Sequence, residues 1–223
     1  MPLRVQELWR YPVKSLAGEP LAAAEVGVDG IAGDRLVHVR EGSGRVVTSR
    51  YRPGLLGLRG TLGPDGEPLI DGVPWDDPRS LAAVRAASTP DVELVRFAEP
   101  DHGQRYDVLP LTLLTDGMVR AVGVDRRRFR PNLLLSGADG LEERNWVGRA
   151  LRIGDALIAA RNARERCVMT TFDPDTLEQD PDVLRRIVRE FGGRVALDCW
   201  VLEPGRIRVG DPVEVIVRPA IRS

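Results

Sequence analysis

Turn-forming residues recur along this chain at short intervals, and that punctuation confines it to many short strands with few helices. Its 23 glycines and 17 prolines supply the turns. In the first third, bulky runs at 5–11, 21–28, 36–40, 46–49, 55–62 and 68–71 are separated by Gly, Pro and Asp clusters. Short strands at this spacing predict a barrel or sandwich-like sheet. The character changes at Asp77-Pro78, where a capping aspartate and a first-turn proline open a helix over 79–87. Residues 88–90 read as a connector, so the chain divides into 1–88 and 89–223, two parts that share a sheet or a cleft. Further strands are predicted at 92–97, 109–114, 133–135, 146–150, 151–160, 195–202 and 213–217. The loop 98–108 is polar, with His102 exposed. One helix, capped by Thr115 or Asp116, should run to about Val122. Another, over 182–191, is capped by Asp180 or Asp182 and ends at Gly192-Gly193. Its apolar stripe is Val183, Leu184, Ile187, Val188 and Phe191. The class is α+β, mostly β.

Composition narrows the partners. Thirty-two basic residues against 33 acidic ones leave a net charge of -1, which offers no general attraction to nucleic acid or anionic membranes. Aromatic residues, at 5%, supply no stacking platform for bases. Trp9, Arg10 and Lys14 break any N-terminal signal-like run, and no apolar stretch is long enough to span a bilayer. The two cysteines, Cys167 and Cys199, make neither a disulfide framework nor a C-x-x-C pair. A reducing cytoplasm is the expected location.

The chemistry concentrates at 165–176, Glu-Arg-Cys-Val-Met-Thr-Thr-Phe-Asp-Pro-Asp-Thr. A thiol is a nucleophile or a soft metal ligand only as thiolate, and neighbouring guanidinium groups such as those of Arg164 and Arg166 favour that form. Cys167 therefore reads as an activated cysteine in surroundings that suit an anionic cofactor; the plainer alternative is a buried structural cysteine. Cys199, alternating with apolar residues, reads as inert packing. Of the 32 basic residues only Lys14 is lysine, which suggests a site needing a compact ammonium where a planar guanidinium will not fit. Lys14 and Ser15 sit on a turn set by Pro12 and Gly18, and can present an ammonium and a hydroxyl to one anion. Arg35 stands where a turn feeds into a strand. Arg130 and Asn132 flank Pro131 just before an apolar strand, so this corner reads as a bidentate anion clamp. Arg126, Arg127 and Arg128 read as a solvated face.

Five stretches, in order, resemble the MOSC-domain proteins (molybdenum cofactor sulfurase C-terminal domain) preceded by their accompanying β-barrel domain. They are Tyr-Pro-Val-Lys-Ser at 11–15, Gly-Asp-Arg at 33–35, Arg-Phe-Arg-Pro-Asn at 128–132, Arg-Cys-Val-Met-Thr-Thr-Phe-Asp-Pro-Asp-Thr at 166–176 and Gly-Arg-Ile-Arg-Val-Gly-Asp-Pro-Val at 205–213. The resemblance implies an N-terminal β-barrel-like domain packed against a MOSC-type β-barrel with a few short helices. It implies a molybdenum cofactor (Mo-molybdopterin), with Cys167 as the metal ligand. Lys14, Ser15, Arg35, Thr115, Arg130, Asn132 and Arg166 would bind its phosphate and pterin. A thiolate suits a metal already held by dithiolene sulfurs, and the phosphate wants charge-assisted donors. The functional relatives in this resemblance reduce N-hydroxylated compounds, so it implies a small N-oxygenated substrate reduced at a Cys-ligated molybdenum. Catalytic roles then fall to Cys167 and, as a proton relay, to Asp173, which can equally be a turn residue. With no further cysteine cluster in the chain, electrons are expected from a separate ferredoxin, flavodoxin or cytochrome-type protein. A carrier of the cofactor or of persulfide sulfur is the alternative. The lack of a second lysine to hold pyridoxal phosphate argues against sulfurase activity by this chain alone.

Overall fold

Both ends of the chain contribute to one eight-stranded sheet. Across it, in order, run Val213–Pro219, Arg149–Ile153, Ala156–Glu165, Arg194–Glu203, Leu111–Thr115, Leu133–Ser136, Arg4–Arg10 and Glu19–Leu21. The computed structural model describes residues 2–97 and 105–219, so His102 and most of its loop lie outside the described residues. Every neighbouring pair in the sheet is antiparallel except Leu111–Thr115 with Leu133–Ser136. That parallel pair needs a crossover, and a short helix lies in the connection between its strands. Three helices are described: α1 at Pro78–Ala87, α2 at Asp116–Val122 within that crossover, and α3 at Pro181–Phe191.

Smaller three-stranded sheets knit the two parts together. Val92–Arg96 and Val46–Val47 flank Val37–Glu41, while Gly205–Arg208 and Gly30–Ile31 flank Ala23–Gly27. A strand from near the C-terminus therefore completes an N-terminal sheet, and the two parts share sheets as expected. The fold is mostly β, in line with the pattern of short runs. The helix caps fall where the sequence placed them: Asp77 accepts from Arg79 N at 2.8 Å, Thr115 caps α2 and Asp180 caps α3.

Three expectations need correction. The run at 55–62 opens with a 3-10 turn over Pro53–Gly57, set by its leading proline, and pairs only at Gly60–Leu62. Trp146 ends another 3-10 turn, Glu142–Trp146, so the strand expected from 146 begins at Arg149. On α3, Val183, Ile187 and Phe191 are buried, but Val188 is 58% exposed, because a three-turn helix buries a narrower stripe than the sequence drew.

Buried Glu143 locks this core. Its Oε2 accepts from Thr115 N at 2.8 Å and Oγ1 at 2.6 Å, and its Oε1 accepts from Ala196 N at 3.1 Å. Burial pushes its carboxyl from 4.5 up to about 7, against the opposing pull of those donors. The native state thus holds this proton more tightly than the unfolded chain. The associated stability is present below about 4.5 and is lost as pH rises through about 7. Unfolding of wild type and Glu143→Gln should show this: between pH 5 and 8 the wild type should lose on the order of 2 kcal/mol more than the variant. Parallel pH profiles would remove the assignment.

Candidate cofactor site

Where the loops of the N-terminal part meet the strand ends of the C-terminal part, they enclose a cavity of about 900 Å³. Eight basic side chains line it against three carboxylates, so its interior favours an anion. Lys14 and Ser15 come from the turn after Arg4–Arg10, Arg35 from the Gly33 turn, and Thr48 and Arg50 from the loop after Val46–Val47. Arg130 comes from the Pro131 corner, Arg164 and Arg166 from the end of Ala156–Glu165, and Cys167 opens a 3-10 turn at Val168–Thr171. Among the described residues six non-glycine positions have positive φ, and three of them, Ser15 (77°), Arg35 (50°) and Arg130 (51°), line this cavity. Left-handed backbone is costly for such residues and persists only where the surrounding structure holds it.

Each cation has a distinct setting. The Lys14 ammonium lies 3.1 Å from Asp107 Oδ1 and donates to Arg105 O at 3.3 Å. Burial lowers its pKa, with Asp107 pulling the other way. Burial also acts to raise Asp107, but Lys14 and then Arg164 outweigh it and hold that carboxyl at about 2. Arg164 pairs with buried Asp198, which also accepts from Asn162 Nδ2 at 2.8 Å. Arg35 pairs with buried Asp34, whose carboxylate accepts from Tyr11 N at 2.7 Å. The Arg130 guanidinium lies over the Tyr11 ring at 4.3 Å, and burial pushes it down to about 10.

Arg166, like Arg130, has no carboxylate partner among the described residues. Its Nη2 donates to Phe129 O at 2.9 Å, while its Nε and Nη1 are buried without a hydrogen-bond partner. Burial, and then the charge of Arg164, push it down to about 9. Buried donors left unpaired are rare and point to a missing acceptor. Next in the chain, Cys167 is partly exposed on the same cavity wall. Arg50 reaches its sulfur, which raises the arginine's own pKa. Ser49 ties the same loop down through Met169 Sδ, 3.5 Å from its Oγ.

The structure brings Lys14, Ser15, Arg35, Arg130, Arg166 and Cys167 together. Thr115, Asn132 and Asp173 are not among the cavity-lining residues. Thr115 is consumed as the α2 cap and Glu143 partner. Asn132 is fully buried, accepting from Thr112 N at 3.1 Å and donating to Trp9 O at 3.2 Å, so it braces the strands and the Arg130 clamp is not bidentate. Asp173 accepts from Thr176 N and Asp175 N, which hold its carboxyl below the usual range, and it pairs with Arg128 at 2.9 Å. A carboxylate held this way does not suit a proton relay near neutrality.

The solvated face expected at 126–128 also needs correction. Arg126 meets Glu7, Arg127 bridges Asp125 and Asp175, and Arg128 turns inward, donating to Thr171 O at 2.9 Å and lining the cavity. Sequence reading missed Arg50, Arg128, Asp107 and Asp198, whose partners lie too far along the chain for a local pattern to show. Cys199 is buried packing, and burial raises its thiol pKa.

The chain is thus a mostly β protein with a cation-rich cavity between two β-rich parts and one soft ligand, a thiol, at the cavity wall. The MOSC N-terminal beta barrel domain matches residues 2–99 and the MOSC domain matches residues 111–214, and the chain belongs to the MOSC-domain proteins. Mitochondrial amidoxime-reducing component 1 of Homo sapiens is 27% identical over 283 aligned positions, covering 95% of this chain and 82% of that protein. Molybdenum cofactor sulfurase of Anopheles gambiae is 40% identical over 74 residues, 33% of this chain and 9% of that protein. The crystal structure of YuaD protein from Bacillus subtilis shares the fold, with a TM-score of 0.53 at 14% identity over 96% of each chain. Among the described residues, no helix is long and apolar enough to cross a membrane.

Proposed function

We propose that the cavity holds a molybdenum cofactor, with Cys167 as its protein ligand, and that the chain reduces N-hydroxylated or N-oxygenated small molecules there. The observation that carries this reading is the pair of unpartnered Arg166 nitrogens beside a cavity-facing thiol. Such donors suit a phosphate group. Among the described residues no cluster of three or more His, Cys, Asp or Glu could hold a bare ion. One sulfur therefore fits a metal that arrives with ligands of its own. The names of the relatives support the two halves of this reading, a molybdenum cofactor sulfurase the cofactor and an amidoxime-reducing component the reduction.

When bound, the cofactor supplies two-electron chemistry, by which an N–OH group, two electrons and two protons give N–H and water. The chain's part is to bind and orient. Lys14, Ser15, Arg35, Arg130 and Arg166 offer the anionic groups charge-assisted donors, while Arg50 faces the Cys167 sulfur. Left-handed backbone at Ser15, Arg35 and Arg130 fixes these donors before binding, which lowers the ordering cost. Electrons come from a separate ferredoxin, flavodoxin or cytochrome-type protein. The carrier reading gains from Asp107 and Asp173, both committed as carboxylates and so unsuited to proton delivery. Protein from a molybdenum-replete host, assayed for benzamidoxime reduction with reduced viologen, decides between them. Turnover is expected, and metal-loaded protein without turnover selects the carrier.

A further inference from the structure

A second pocket of about 400 Å³ lies on the far side of the cysteine loop, within the size range of small-molecule sites. The loop divides the two spaces. Cys167 faces the first cavity, Phe172, Pro174 and Asp175 face the second, and Met169, Arg128 and Arg130 line both. The downstream half of the motif at 166–176 thus serves a space that the cofactor reading leaves unused.

Its walls are aromatic. Trp9 and Tyr11 come from the end of the first strand and the residue after it, and Phe172 from the loop. Trp9 Nε1 already donates to Glu7 Oε2 at 2.7 Å, and the Tyr11 hydroxyl donates to Pro131 O at 3.1 Å. Arg130 covers the Tyr11 ring, so it is Trp9, with its polar tip satisfied, that offers the pocket apolar surface. Leu56, Pro20 and Pro174 add further apolar contact.

The charge of the pocket is positive. Arg59, Arg127, Arg128 and Arg130 line it against one carboxylate, Asp175. Arg127 is committed to Asp125 and Asp175, and Arg128 to Asp173. The Arg59 side chain makes no hydrogen bond or ion pair among the described residues, although its backbone N donates to Asp71 Oδ1 at 2.9 Å. A pocket with aromatic walls edged by an unneutralised guanidinium is complementary to an aromatic ligand with one negative group. We propose that this pocket binds an aromatic anion, held between Trp9 and Phe172 with its charge on Arg59.

Calorimetric titration of the full chain with 2-naphthoate tests this without cofactor or turnover, so its failure is separable from failure of the reductase reading. Saturable binding is expected, weakened about tenfold by Arg59→Gln. Arg59 is exposed, so that variant should keep the fold. Phe172→Leu should weaken binding as well, and neutral 2-naphthamide should bind less tightly than the acid. Arg166→Gln, in the first cavity, should leave the affinity unchanged. The proposal is overturned by absence of binding at millimolar 2-naphthoate. It is equally overturned by affinities that ignore both Arg59→Gln and Phe172→Leu, or by loss of binding in Arg166→Gln, which would move the ligand to the first cavity.

Discussion

Cys167→Ala is expected to lose bound molybdenum and to reduce N-hydroxylated substrates at least about 100-fold more slowly, with its melting temperature within a few degrees of wild type. The asymmetry follows from what the residue does locally. Its backbone carbonyl accepts from Thr170 N at 3.1 Å and Thr170 Oγ1 at 2.9 Å, and its side chain makes no cap hydrogen bond to the turn it opens. Alanine keeps those backbone bonds and removes only a partly exposed sulfur. Little packing is lost, so any large effect reports on the ligand. Metal content and calorimetric melting, measured on one preparation, check both halves. Full activity in the variant would end the metal-ligand assignment.

Asp34→Ala should have the opposite signature, destabilising the fold by about 3–5 kcal/mol. Asp34 is fully buried and pairs with Arg35, which is itself mostly buried. The same carboxylate accepts from Tyr11 N at 2.7 Å and from Asn132 Nδ2 at 3.4 Å. Alanine would leave a guanidinium and a backbone N–H without their acceptor, and removing one member of a buried pair costs far more than the pair contributes. The urea midpoint should fall sharply with the slope unchanged. A loss below about 1 kcal/mol would mean that water replaces Asp34 easily.

These two aspartate and cysteine sites show what a sequence can reveal. The five motif stretches put Lys14, Ser15, Arg35, Arg130, Arg166 and Cys167 on loops, and the strands bring those loops to one cavity. Local chemistry was enough there, because turns, prolines and caps act within a few residues. Asn132 sits in one of those stretches and Thr115 at a helix cap, yet both turn into the core, since only the packed neighbours decide which way a side chain faces. Arg128 misled in the other direction. A charge run usually faces water, but the carbonyls of Thr170 and Thr171, more than 40 residues on, draw this member inward. Arg50 and Asp107 left no local trace, as each gains meaning only from a partner on a distant strand or turn. The pairing of Gly205–Arg208 with Ala23–Gly27 was equally hidden, because alternation in a strand does not name the partner strand.

Elemental analysis of wild-type protein freshly purified from a molybdenum-replete host, with fluorescence of the pterin released by acid, tests the central claim most directly. Molybdenum and pterin in equal amounts, approaching stoichiometry with the chain, are the predicted result. Protein that carries neither under those conditions would contradict the account.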